Sequence, residues 1–157
     1  MDAKRFELVT HWRLDAELER VWACLCDSDS WPCWWPSVTR VELLRPGQDP
    51  DGVGAIRRLH WKTALPYDLV FDVELIAIEP MHRIEGRAFG ELDGIGVWTL
   101  GPEGGGTVVR YDWQVDVTKA WMRLFVPFLR PVFAWNHGVV MRRGEAGLAS
   151  RLRRDTV

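Results

Sequence analysis

From Val38 to Thr118 one segment after another alternates apolar and polar residues, and then the period changes to that of a helix. The alternating segments are Val38–Leu44, Ala55–Thr63, Asp68–Ile78, His82–Leu92, Gly94–Leu100 and Thr107–Thr118. Turn formers separate them: Pro46-Gly47 with Asp49-Pro50-Asp51-Gly52, then Pro66, Pro80-Met81, Asp93-Gly94, and the glycine-rich stretch Gly101 through Gly106. Strands joined so tightly pair as an antiparallel meander, apolar on one face and charged on the other. The dry face needs cover. The long amphipathic element available follows Pro131, which is well placed at a helix start. From there to about Arg153 one face reads Phe133, His137, Val140, Met141, Gly144, Leu148 and Leu152. Lys119–Val126 has helical character but meets Pro127, which predicts a break. Gly138, Gly144 and Gly147 in the helix point either to close approach of the helix to the sheet or to bending.

Ahead of the meander, Phe6–Leu14 alternates as a half-buried strand, with Phe6, Leu8, Trp12 and Leu14 on one face. Asp15 is placed to cap a helix whose stripe is Leu18, Val21, Trp22 and Leu25. Trp31-Pro32-Cys33-Trp34-Trp35-Pro36 follows, limited by its prolines to a short helical turn or an irregular lid. The expected fold is therefore α+β. A curved seven-stranded antiparallel sheet wraps a long C-terminal helix, with two short helices after the first strand, in one domain spanning 1–157.

Composition narrows the function. Lys and Arg number 20 against 22 Asp and Glu, so the chain is not a generally basic nucleic-acid binder. No apolar run approaches the length of a membrane span, and the residues after Met1 show no apolar signal core, so a cytoplasmic location is expected. Cys24, Cys26 and Cys33 match neither a disulfide framework nor a zinc spacing, and the four His are scattered. No cofactor or metal is expected. Ten tryptophans against two tyrosines stand out, and they are spread along the whole chain. They build either a packed core or the wall of a cavity.

The motifs Glu19-Arg20-Val21-Trp22 with Asp27, Trp31-Pro32-x-Trp34-Trp35-Pro36, Val41-Glu42, Gly90-Glu91-Leu92 leading to Trp98-Thr99-Leu100, and Thr107-Val108-Val109-Arg110-Tyr111-x-Trp113 carry a resemblance. Together they resemble the START-like, birch-pollen-allergen-type helix-grip superfamily (SRPBCC), nearest its bacterial polyketide cyclase/dehydrase branch. The resemblance covers about Phe6 to Leu152. It implies an elongated apolar cavity between sheet and C-terminal helix, holding a lipid, sterol, polyketide, hormone or quinone. A minority of such proteins cyclise or dehydrate a bound polyketide, so fold alone does not assign a reaction.

Strand parity places Trp61, Phe71, Val73, Tyr111, Trp113 and Val115 on the sheet's inner face, opposite Phe133, His137 and Met141 of the helix. Gly86, Ala88 and Gly90 remove side-chain volume where a ligand or the helix backbone could sit. His137 titrates near neutrality on an apolar face. It is either an acid/base or ligand-orienting group, with Tyr111 as partner, or a core histidine hydrogen-bonded to Tyr111 or a carbonyl. Asn136 reads as helix surface, and Arg57 as a rim residue reaching for water. Trp34 and Trp35, with Trp31, form either a lid at the cavity mouth that could touch a membrane or a cluster packed under its own loop. The outer-face charges Asp68, Asp72, Glu74, Arg83, Glu85, Arg87, Arg110, Asp112 and Asp116 read as cross-strand pairs. The arginine-rich C-terminus suits the helix dipole, with anionic-lipid contact as the weaker reading.

Three functions follow. The first is a carrier or sensor of an apolar small molecule. The second is a polyketide cyclase, aromatase or dehydratase using His137 and Tyr111. The third is a protein-interaction module acting through the Trp-Pro segment. The expected partner is an apolar small molecule rather than a nucleic acid, with peripheral membrane contact open, and monomer and homodimer both fit.

Overall fold

The computed structural model describes residues 5–118 and 120–155; Met1–Lys4, Lys119, Thr156 and Val157 lie outside the described residues. Seven strands form a single antiparallel sheet: β1 (Arg5–Leu14), β2 (Val38–Arg45), β3 (Ile56–Lys62), β4 (Asp68–Glu79), β5 (Arg83–Gly90), β6 (Leu92–Glu103) and β7 (Gly106–Val117). The spatial order is β1-β7-β6-β5-β4-β3-β2, so the meander is continuous from β2 to β7 and β1 adds to its far edge. Helix α1 (Leu18–Cys26) and a 3₁₀ turn (Ser28–Cys33) connect β1 to β2, and helix α2 (Ala120–Arg154) closes the described chain. This is the helix-grip arrangement.

Parity explains the core. Phe6, Trp12 and Leu14 of β1 are buried while Arg5, Glu7, Val9, His11 and Arg13 are exposed, which keeps alternate residues in the dry face. In α1 the stripe Val21, Trp22 and Leu25 is buried. Along α2, Met141, Gly144, Leu148 and Leu152 recur at the helical period and are buried.

Four local expectations change. Asp15 does not cap α1, whose N-cap is Glu17 without a side-chain cap bond. The segment is pinned first by Thr107 Oγ1, which donates to the Ala16 carbonyl over 2.7 Å, so the helix starts later. The turn between β5 and β6 falls at Gly90-Glu91 rather than Asp93-Gly94. Gly90 takes φ +111°, while Asp93 and Gly94 already pair with Asp116 and Val115 of β7. The glycine-rich turn shortens to Gly104-Gly105, both at positive φ, because Gly101, Pro102 and Glu103 pair with Val108, Thr107 and Gly106.

The fourth change is the largest. Neither Pro127 nor Pro131 starts or stops a helix; both lie inside α2. Each deprives the carbonyl four residues earlier of its donor. Both prolines are exposed, so water can hydrate those carbonyls, while buried Met122 and Val126 hold the first turns on the sheet.

Candidate functional site

Between the sheet and α2 lies a cavity of about 330 Å³. Strands β3, β4, β6 and β7 turn Trp61, Phe71, Trp98, Tyr111 and Trp113 into it, and Trp35 enters from the segment after the 3₁₀ turn. These six rings form a closed circuit. Centroid separations are 5.1 Å from Trp35 to Trp61, 6.2 Å to Phe71, 5.8 Å to Trp113, 5.8 Å to Tyr111, 4.2 Å to Trp98, and 6.2 Å back to Trp35. Trp61–Phe71, Tyr111–Trp113 and Trp98–Tyr111 are stacked, so broad π faces make up the wall. The α2 side is Phe133, His137, Val140 and Met141.

The tryptophans thus divide by role. Trp31, Trp35, Trp61, Trp98 and Trp113 line the cavity, and Trp12, Trp22 and Trp34 are buried without reaching it. Trp121 and Trp135 are exposed on α2. The core is not filled solid, and every wall residue expected from parity (Trp61, Phe71, Val73, Tyr111, Trp113, Val115, Phe133, His137 and Met141) borders the space.

Glycines make the room. A Cβ on Gly96 would stand 2.5 Å from the Tyr111 hydroxyl and 3.0 Å from the Trp113 ring, so only glycine lets those rings lie flat across β6. A Cβ on Gly86 would come within 2.8 Å of the Val73 methyl. A register shift between Leu75 and Ala77 changes the parity of β4, so that Ile78, out of step with Phe71, Val73 and Leu75, faces the cavity with Ile84.

The polar groups at the site are few, and the two titratable ones facing each other across it, His137 and Tyr111, are neutral; the charged Arg57 and Asp51 also border it. His137 does not make the expected hydrogen bond: its Nε2 is buried with no partner among the described residues, and its ring centre lies 6.5 Å from that of Tyr111. Burial lowers its pKa to about 4, so the imidazole is neutral at pH 7. Burial pushes the Tyr111 phenol well above its ordinary value, leaving it a protonated donor. Asn136 is not on the helix surface; it is buried and accepts from the Ala64 N–H over 2.8 Å, tying the β3–β4 connection to α2. Arg57 borders one end of the cavity and is held by Asp29 at 2.9 Å rather than reaching into water alone.

Trp34 and Trp35 are not an exposed mouth. They are 4% and 1% exposed, with Trp31 at 8%. Trp35 Nε1 donates to the Val140 carbonyl of α2 over 2.9 Å. A Cβ on Gly147 would fall 1.7 Å from the Trp34 carbonyl oxygen, and one on Gly144 2.5 Å from the Trp35 ring. Gly144 and Gly147 therefore serve close approach, to the Trp-Pro segment rather than to the sheet, whereas Gly138 faces only the Arg142 side chain. Cys26 and Cys33 are exposed and Cys24 is half-buried; all three are free thiols. On the outer face Arg58–Asp72 and Arg5–Asp116 pair across strands, whereas Arg83–Glu85 and Arg110–Asp112 pair two residues apart along one strand.

Trp98 and Gly96 are wall residues that the sequence reading left out. The alternation Gly94, Gly96, Trp98, Leu100 carries the signal.

A seven-stranded sheet gripping one long helix, with an apolar cavity left between them, defines a START-like helix-grip protein. A family model described as polyketide cyclase / dehydrase and lipid transport matches residues 5–153, and the chain belongs to that family. No curated protein matches it. Among solved structures it is similar to a protein of Thermus thermophilus, with TM-score 0.81, 19% identity, and 97% of this chain and 100% of that one covered. A START superfamily protein from Mycobacterium smegmatis aligns with TM-score 0.77 and 16% identity over 94% and 97% of the two chains. The Zhui aromatase/cyclase from a Streptomyces species aligns with TM-score 0.76 and 15% identity over 98% and 96%. At these identities the likeness concerns the fold.

Proposed function

We propose that the protein binds a flat, apolar small molecule, quinone- or polyketide-like, in this cavity and acts as a carrier or sensor. The closed circuit of six aromatic rings around about 330 Å³ of space carries the reading. Stacked faces complement a conjugated ring system better than a flexible acyl chain, and a mostly apolar wall with few polar groups suits such a ligand. Binding is favoured over turnover by the two titratable candidates themselves. A general acid or base works best with a pKa near the working pH, and burial moves His137 and Tyr111 away from it in opposite directions.

Native mass spectrometry of protein purified from its own host tests this. A retained apolar mass, lost in Ile84→Trp, is the expected result, because Ile84 borders the cavity and a larger side chain there occupies it. A clean ligand-free mass, together with no uptake of an apolar fluorescent dye, overturns the reading.

The proximity of Tyr111 to His137 supports a second reading, cyclisation, aromatisation or dehydration of a polyketide-like ligand with the phenol donating to a carbonyl. Unchanged ligand binding with lost turnover in His137→Gln would select it; absence of turnover on polyketide-like substrates leaves the carrier.

A further inference from the structure

The first half of α2 is apolar on both sides. Its inner side borders the cavity through Met122 and Phe133, while Leu124 and Phe128 on its outer side are 72% and 80% exposed. Val132 and Trp135 continue the outer row at i, i+4, i+8 and i+11 from Leu124, with Trp121 and Phe125 beside it, and all are exposed. Together these side chains present on the order of 700 Å² of contiguous apolar surface, at or beyond the largest patch an ordinary monomer carries.

We infer that this outer face of α2 docks onto an anionic lipid surface. Three observations select that occupant. Trp121 and Trp135, at 51% and 55% exposure, mark the two ends of the row, about 21 Å apart along the axis; indoles belong at the boundary between headgroups and chains. From Ala120 to Gly144 the sequence has four arginines, Arg123, Arg130, Arg142 and Arg143, and no Asp or Glu. Arg142 and Arg143, both exposed, lie seven and eight residues beyond Trp135, two helical turns further along the same face, where cationic side chains meet lipid phosphates while the apolar row sinks between the headgroups. A second copy of the chain fits worse, since pairing two such faces gathers their arginines and brings no carboxylate from either helix segment. Among the described residues no helix is long and apolar enough to cross a membrane, so the contact lies on the surface. Docked this way, the segment that forms one wall of the cavity also rests on the bilayer, which gives an apolar ligand a short path between the two.

Co-sedimentation with vesicles of phosphatidylcholine alone and of phosphatidylcholine with phosphatidylglycerol tests the inference. The protein should partition onto the anionic vesicles and be released by added salt. The double variant Leu124→Ser/Phe128→Ser should lose about tenfold or more in partitioning, and Arg142→Gln/Arg143→Gln should lose a smaller factor on anionic vesicles alone. As a measurement that needs no surface variant, brominated phosphatidylcholine in the anionic vesicles should quench the protein's fluorescence, and Trp121→Phe/Trp135→Phe should remove most of that quenching. Absence of partitioning onto anionic vesicles, partitioning unchanged in the double variant, or a solution dimer that Phe128→Ser dissociates would each overturn it.

Discussion

The two halves of α2 meet the molecule in opposite ways. The C-terminal half is clamped: Gly144 and Gly147 press against Trp35 and the Trp34 backbone, Trp35 donates to the Val140 carbonyl, and Leu148 and Leu152 are buried. The N-terminal half carries two prolines and a run of exposed apolar side chains; Met122 and Val126 bury it, and Arg130 ties it to β1, lying 4.8 Å over the Phe6 ring. One half is fixed by the absence of side chains, the other held by a few large ones. The cavity lies where the clamp gives way to the looser contact, with His137 close to the boundary.

Substitutions can break that contrast. The largest effect belongs to Gly147→Ala, because the new Cβ would meet a backbone oxygen that cannot rotate aside. Urea denaturation should show a loss of roughly 3 kcal/mol or more; a near-neutral result would mean the clamp is loose. Next comes pH. Burial holds His137 near 4 in the folded state against 6.5 in an unstructured chain. Over that interval the unfolded chain takes up a proton that the folded one refuses. Stability therefore falls as pH drops from about 6.5 to about 4, by about 3 kcal/mol. His137→Gln should lack this component, so the stability difference between wild type and variant narrows across the same interval.

Gly96→Ala should cost about 2 kcal/mol, less than Gly147→Ala because the Tyr111 ring can shift; the shifted ring should also weaken uptake of an apolar dye. The smallest effect is expected at Gly138, where a Cβ would meet only the flexible end of Arg142 at 3.2 Å. Gly138→Ala should stabilise the protein by about 0.5–1 kcal/mol in the same denaturation series. Similar losses at positions 138 and 147 would erase the distinction drawn between them.

How much of this was legible beforehand depended on whether the signal was periodic. The seven strands, α1 and the inner-face residues Trp61, Phe71, Tyr111 and Trp113 follow from alternation, because in a one-sided sheet a residue's parity dictates its environment. The bulge between Leu75 and Ala77 breaks that rule locally, so Ile78, which strict alternation from Phe71 and Val73 puts on the wet face, borders the cavity. Glycine and proline misled wherever their local tendency was outweighed. Asp93-Gly94 has turn chemistry, yet a Cβ on Gly94 would stand 1.9 Å from the Gln114 carbonyl oxygen; the glycine serves a close strand contact. Pro127 and Pro131 break helices in general, but here burial on one side and water on the other carry α2 through both.

The sequence alone determined the order of the strands and of α1, the antiparallel meander, the grip on a C-terminal helix and, away from the bulge in β4, the face on which strand residues fall. These depend on period and on nearest neighbours along the chain, which are written in it directly. Only the tertiary structure decided that the indoles leave space instead of filling it, that Trp34 and Trp35 lie inside, and that Trp121 and Trp135 lie outside. Those outcomes depend on distances between segments far apart in the chain, such as Gly147 against Trp34 and Gly96 under Tyr111, and a periodic pattern carries no such distances.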